Sequence, residues 1–254
     1  MKDQTKIAVL TGGSRGLGRN MALALAGKGI DVIFTFHSRP DLAEAMVSQI
    51  QALGRNAKAF QLDTRKLSAF EPFLAQLTNY LQVEYGDPGF DYLINNAGTG
   101  LHAPISEVTE AQMDDIYQIH YKGVFFLTQK ALPHIHDGGG IINISSGLTR
   151  IINSGSSVYG AMKSAVETQT RYLAKELGER KIRANVVAPG AIETDFSGGL
   201  VRDNKEVNDW IASVTPLGRV GLPEDIGGVV AFLCTDDAYW INGQRIEVSG
   251  GQAI

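Results

Sequence analysis

Short runs that are apolar at every position alternate along this chain with longer stretches in which apolar residues recur every three or four positions. Ile7-Ala8-Val9-Leu10 is the first such run, and Leu17, Met21 and Leu25 then repeat at helical spacing. The alternation continues with a strand over Asp31 to Phe36, a helix over Pro40 to Leu53, a strand over Ala57 to Leu62 and a helix over Leu67 to Tyr85. Tyr92-Leu93-Ile94 gives a fourth strand, and Asp114 to Leu132 a long helix with apolar residues from Ile116 to Leu127. Ile141-Ile142-Asn143-Ile144 and Ala184 to Ala188 are further strands, and Ile246-Glu247-Val248 closes the set. Strands without polar alternates are buried on both faces, which happens when helices cover both sides of a parallel sheet. The pattern predicts an α/β fold with a doubly wound parallel sheet.

One region breaks the rhythm. After Pro189-Gly190, residues 191 to 222 carry repeated glycines around a single helical piece near Val207 to Val214, the make-up of a substrate lid. Leu148, Ile151, Ile152, Phe196, Leu200 and Trp210 are its candidate wall, apolar enough to favour a neutral, hydrophobic carbonyl compound over a polyanion. No repeat, low-complexity tract or linker interrupts residues 1 to 254, so one domain is expected.

Composition narrows the function classes. The chain has 254 residues, 44% hydrophobic and 20% charged, enough for one large core. A formal net charge of -4 offers no electrostatic attraction to nucleic acid or an anionic membrane. The single cysteine, Cys234, follows Ala231-Phe232-Leu233 and reads as a buried structural thiol. Met1-Lys2-Asp3-Gln4 leads into the first strand without an apolar signal region, and no stretch is long enough to span a bilayer, so a soluble cytoplasmic protein is expected.

The loops after the strands carry the chemistry. Thr11-Gly12-Gly13-Ser14-Arg15-Gly16-Leu17-Gly18 sits between the first strand and the first helix, where glycines admit a pyrophosphate to the helix N-terminus. The spacing is Gly-x-x-x-Gly-x-Gly rather than Gly-x-Gly-x-x-Gly. After the second strand, where an acid would grip the ribose of NAD, stand His37-Ser38-Arg39. With no carboxylate there, and with Arg39 and Arg15 able to fork onto a phosphate, NADP(H) is preferred, with NAD(H) possible. Asp63-Thr64 ends the third strand beside the expected adenine, where Asp63 either accepts from the base or caps the next helix. Asn95-Asn96-Ala97-Gly98 follows the fourth, with small residues for close approach and asparagines able to tie strands together.

The centre of the chemistry is Ile141 to Lys163. Ser145 and Ser146 end a buried run, and a Gly/Ser-rich loop leads to Tyr159-Gly160-Ala161-Met162-Lys163. Tyrosine and lysine at i and i+4 share a helix face, so the Lys163 ammonium can favour the phenolate of Tyr159 and lower its pKa. Tyr159 then becomes a proton donor to a carbonyl, and a serine hydroxyl holds the same oxygen. His134 and His136 invite a metal reading, but without a third ligand cluster they read as surface histidines.

Thr11-Gly12-(x)3-Gly16-x-Gly18, Asn95-Asn96-Ala97-Gly98, Tyr159-(x)3-Lys163 and Pro189-Gly190 stand in register from Ile7 to Gly251. In this the chain resembles the short-chain dehydrogenase/reductase family, in particular the 3-oxoacyl-[acyl-carrier-protein] reductases. The resemblance implies a single-domain Rossmann-like fold and usually a homotetramer or homodimer. It selects Ser146, thirteen positions before Tyr159, as the residue that holds the substrate oxygen. It makes Tyr159 the general acid or base and gives Lys163 the tyrosine pKa and the nicotinamide ribose. Thr194 and the backbone of Ile192 would meet the carboxamide, and Gly12, Arg15, Leu17, Asp63, Asn95 and Gly98 match cofactor-contacting positions. One position departs: where the family usually has an asparagine supporting a water relay to the lysine, the chain reads His120-Tyr121-Lys122-Gly123. A histidine there can donate and accept when neutral, and its titration would add a pH dependence.

Three readings follow. The first is an NADP(H)-dependent carbonyl reductase or alcohol dehydrogenase. The second is a 3-oxoacyl-[acyl-carrier-protein] reductase, which would want a basic docking patch that the scattered Lys122, Lys130 and Arg171 do not make. The third is a non-catalytic NADP-binding regulatory protein on the same fold, supported only by His120.

Overall fold

Every apolar run becomes a strand, and all seven strands run parallel in one sheet. The computed structural model describes residues 5–254, so Met1-Lys2-Asp3-Gln4 lie outside the described residues. The elements alternate as β1 (Ile7–Leu10), α1 (Gly16–Gly27), β2 (Asp31–Phe36), α2 (Pro40–Ala52), β3 (Ala57–Gln61), α3 (Phe70–Tyr85) and β4 (Phe90–Asn95). Then come α4 (Glu110–Tyr117), α5 (Gly123–Ala131), β5 (Ile135–Ile144), α6 (Ser157–Glu176) and β6 (Arg183–Pro189). The chain ends with α7 (Leu200–Asp203), α8 (Lys205–Ser213), α9 (Pro223–Leu233) and β7 (Arg245–Val248). Strand order is β3-β2-β1-β4-β5-β6-β7. The chain therefore reverses its direction across the sheet between β1 and β4, and the crevice outside their carboxyl ends is where such sheets bind ligands.

The sheet divides the core in two. Met21, Leu25, Ile226 and Val230 cover one face from α1 and α9, and Phe70, Leu77 and Leu127 cover the other from α3 and α5. Each fully buried Leu or Phe contributes on the order of 2 kcal/mol, so the frame is held by both layers rather than by its loops. Among the described residues no helix is long and apolar enough to cross a membrane.

Three boundaries differ from the apolar pattern. β5 starts at Ile135 rather than Ile141, because Gly138-Gly139-Gly140 has no apolar signature. A Cβ on Gly139 would lie 2.2 Å from the Asp91 carbonyl, so the two strands meet there only without a side chain. The long helix begins earlier, at Glu110, where Thr109 and Gln112 form a reciprocal capping box. It is also interrupted by a π-turn over Gln118–Lys122 that carries His120. In the lid, the expected helical piece near Val207 to Val214 is the pair α7 and α8.

Candidate active site

Thr11, buried at the end of β1, organises the glycine turn. Its Oγ1 accepts from the backbone N–H of Asn96 and of Ala97, each at 3.0 Å. Asn96 Nδ2 donates back to the carbonyls of Thr11 (2.9 Å) and Gly12 (3.1 Å). The loops after β1 and β4 are thus one hydrogen-bonded unit, with the asparagine tying strands as its position suggested. Gly12 (φ +71°) and Gly16 (φ +55°) are left-handed, and a Cβ on Gly18 would lie 2.0 Å from the Gly12 carbonyl. No side chain caps the start of α1, so its N–H groups face the crevice. This cradle fits a pyrophosphate, and Ser14, Arg15, Leu17 and Gly18 line it.

At the outer end of the crevice, His37, Ser38 and Arg39 line the wall after β2. Arg39 pairs with Asp41 in the first turn of α2, through Nε (2.8 Å) and Nη2 (2.5 Å), an exposed surface pair on the same wall. Arg15 has no ion-pair partner among the described residues and lines the crevice as well. Asp63 accepts from the N–H (3.1 Å) and Nε (2.9 Å) of Arg65, and His37 Nε2 lies 3.7 Å from it. Burial opposes the Asp63 charge, but Arg65 outweighs it and holds the carboxyl below its ordinary value. Asp63 caps no helix, and its free edge and Thr64 line the same wall.

Asn95 is also placed differently from expectation. It does not line the crevice but lies inside, donating from Nδ2 to Thr128 Oγ1 (3.0 Å) and Asn143 Oδ1 (2.8 Å). Asn143 continues to Thr170 on α6 at 2.9 Å. The neighbouring Asn96, with Ala97 and Gly98, faces the crevice instead. Neighbouring residues in an extended segment face opposite ways, and the amide side chain does not tell which asparagine goes where.

Ser145 and Ser146 are separated by their partners. Ser145 Oγ donates to Glu167 (2.7 Å), part of a network in which Arg245 pairs with Glu167 and Glu247 (both 2.8 Å) and Arg150 with Glu247. Ser146 lines the crevice together with Tyr159, and its Oγ accepts from the Leu148 N–H at 3.2 Å. Tyr159 and Lys163 follow one turn apart on α6, with Lys163 Nζ 5.6 Å from the tyrosine ring centre.

The electrostatics differ from those expected. Burial pushes the Tyr159 hydroxyl up to about 12, with Ser146 acting in the opposite direction. Burial also pulls the Lys163 ammonium down to about 7. Lys163 donates to the Ile144 carbonyl at 2.8 Å, away from the phenol, so desolvation outweighs its field on Tyr159. Tyr159 is therefore fully protonated at neutral pH, the state a proton donor needs.

His120 packs edge-on against Tyr159, with ring centres 5.0 Å apart. Burial first, and the Lys163 charge second, push its pKa well below the ordinary value. The expected titration near neutral pH is thereby removed, and the ring is neutral. A Cβ on Gly98 would lie 2.6 Å from His120 Cε1.

The crevice opens into a cavity of about 1020 Å³ continuous with the cradle. Leu148, Ile151, Phe196, Leu200 and Trp210 line it, while Ile152, 86% exposed, does not. Phe196 leans over Tyr159 at 5.9 Å between centroids. Pro189, Gly190, Ile192 and Thr194 line the inner end, where Thr194 Oγ1 accepts from the Phe196 N–H at 3.1 Å. Gln252, which nothing local in the sequence marks, reaches the same place and accepts from the Ala191 N–H at 3.0 Å. Elsewhere, His136 bridges Asp87 and Asp91. Cys234 is buried, which raises its thiol pKa.

With this geometry in hand, the comparisons with known proteins agree with one another. The family model described as enoyl-(acyl carrier protein) reductase matches residues 12–253. An uncharacterized oxidoreductase of Methylorubrum extorquens is 39% identical, covering 98% of both chains. The hydroxynaphthalene reductase-like protein Arp2 of Metarhizium brunneum is 35% identical, covering 97% of this chain and 94% of its own. The crystal structure of the angucycline C-6 ketoreductase LanV with bound NADP superposes with a TM-score of 0.93 at 34% identity, covering 99% and 97%.

Proposed function

The chain belongs to the short-chain dehydrogenase/reductase family, and on that premise we propose that it is an NADP(H)-dependent reductase of a small, hydrophobic carbonyl compound. What carries this reading is one observation: Ser146, Tyr159 and Lys163 line a single cavity that is continuous with the glycine cradle and walled by Leu148, Ile151, Phe196 and Trp210. In the reaction the bound cofactor supplies the hydride to the carbonyl carbon. Ser146 holds the carbonyl oxygen, and Tyr159, protonated at neutral pH, gives it a proton. The phenolate left on Tyr159 takes its proton back from solvent in the open cavity, and the Lys163 ammonium, 5.6 Å from the ring centre, favours that anion in the interval. Gly12, Ser14, Gly16, Leu17 and Gly18 cradle the pyrophosphate. Arg15, His37, Ser38 and Arg39 would hold the 2′-phosphate, and Asp63, Thr64, Ala97 and Gly98 would flank the adenosine and its ribose. Pro189, Gly190, Ile192 and Thr194 seat the nicotinamide, and residues 191 to 222 act as the lid.

The relatives are named reductases and ketoreductases, so the non-catalytic reading has no support. A carrier-linked acyl substrate is less favoured than a free ketone, since Lys130 is already paired with Glu71 at 2.5 Å. Because the ketoreductase LanV acts on an angucycline, aromatic polycyclic ketones head the list of candidates. The exposed aromatics Tyr117 and Phe125 on α4 and α5 suit a homotetramer or homodimer.

The deciding experiment is NADPH and NADH oxidation by the purified protein against ketones, quinones and 3-oxoacyl thioesters. Tyr159→Phe should lower kcat on the order of 10³-fold and leave NADPH affinity within about twofold. Unchanged turnover in that variant would remove Tyr159 from the mechanism.

A further inference from the structure

His120 has two ring nitrogens in unlike surroundings. Nε2 lies 2.6 Å from the Thr99 carbonyl oxygen and 3.2 Å from the Thr99 backbone nitrogen. One nitrogen cannot serve both, because a protonated Nε2 donates and a bare one accepts. The carbonyl has no proton to share, so a 2.6 Å separation requires the proton on Nε2. The lone pair then falls on Nδ1, which is buried and has no partner among the described residues. A second proton on Nδ1 would sit unpaired in the interior close to Lys163, so the ring is held neutral in one tautomer.

The π-turn over Gln118–Lys122 turns this ring inward to Thr99. Thr99 precedes Gly100, and Gly100 abuts the lid: a Cβ there would lie 2.2 Å from Ser197 Oγ and 3.3 Å from Phe196 Cε1. The anchored carbonyl thus seats the lid against the wall of the cavity.

We infer that His120 is a positioning residue that acts through Nε2, fixing the Thr99–Gly100 wall on which the lid rests, and that its ring carries no proton in the reaction. The inference rests on the reductase reading only where turnover is measured. In ¹⁵N-imidazole NMR of the folded protein at neutral pH, His120, assigned by comparison with His120→Asn, should appear neutral and protonated on Nε2. An Nδ1–H tautomer or an imidazolium would overturn the inference whatever the turnover.

Two substitutions separate the nitrogens, since a glutamine amide mimics Nε2 and an asparagine amide mimics Nδ1. His120→Gln should keep KM for the ketone within about twofold, whereas His120→Asn should raise it about five- to tenfold with kcat little changed, the cost of one lost hydrogen bond. Rescue by asparagine and a kcat loss with glutamine would assign the function to Nδ1 and overturn the proposal. If both variants unfold, the wild-type tautomer decides, with the His120 ring then assigned by through-bond correlation to its own backbone. Wild-type protein with the expected tautomer and no turnover would sink the reductase reading and leave the tautomer standing.

Discussion

The cofactor cradle and the lid line the same cavity but are held by different means. In the cradle, Thr11 and Asn96 make four hydrogen bonds of 2.9–3.1 Å between the loops after β1 and β4, all part-buried. In the lid, Arg202 pairs with Asp195 and Asp203, and Lys205 with Asp209, all on the surface. Surface pairs of this kind contribute about 0–1 kcal/mol each. Three successive lid residues, Ser197, Gly198 and Gly199, are left-handed, and Phe196, Leu200 and Trp210 are each about half exposed. On the proposed reading, cofactor binding is therefore built into the rigid frame, and substrate choice is left to a segment that can be rearranged at little cost to the fold.

The sharpest way to break this contrast is Gly18→Ala. Its Cβ would lie 2.0 Å from a backbone oxygen of the cradle, so the turn must move. NADPH affinity should fall by about 100-fold or more, with a stability loss of about 1–3 kcal/mol. Fluorescence titration and thermal melts read the two effects, and an intact cradle in this variant would mean that the frame is looser than its hydrogen bonds indicate.

Lys163→Met tests the electrostatics beneath both regions. The Lys163 pKa falls from 10.5 unfolded to about 7 folded, so folding releases a proton between those values. Wild-type stability therefore rises with pH across that window, and the burial cost is greatest at and below about pH 7. The variant should lose turnover yet gain melting temperature over wild type near neutral pH. That gain should shrink toward pH 10. A gain independent of pH would assign the effect to packing instead.

The smallest effect is expected in the lid. Phe196→Ala should change stability by under about 1 kcal/mol, because the ring is 43% exposed. It should raise KM for flat aromatic ketones several-fold, by roughly 1 kcal/mol of lost ring contact, while NADPH affinity stays put. Equal losses for flat and compact ketones would deny Phe196 a role in selection.

Much of this was readable from the chain because both the frame and the cradle are local. Strands such as Ile7–Leu10 announce themselves by unbroken apolar runs, and the glycine turn by its place between a strand and a helix. What escaped reading depends on distant partners. Local pattern leaves Ser145 and Ser146 alike, so only the family resemblance selects Ser146 until Glu167 is seen to hold Ser145, and Gln252 enters the cavity only by pairing with Ala191, 61 positions away. Gly138-Gly139-Gly140 hides a strand because close approach needs no side chain there. The pKa values of Tyr159 and Lys163 escaped for another reason. Spacing puts charge beside phenol, whereas only the closed interior tells how much water each has lost.

The interlock of Gly98 with His120 also bears on how such a chain can change over generations. Because a methyl at 98 would collide with the imidazole, the two positions are epistatic. Exchanging His120 for a smaller residue first opens a route to alanine at 98, while the reverse order passes through a strained intermediate. A histidine gained at this position thus acts as a ratchet, holding its neighbouring glycine in place for as long as it stays.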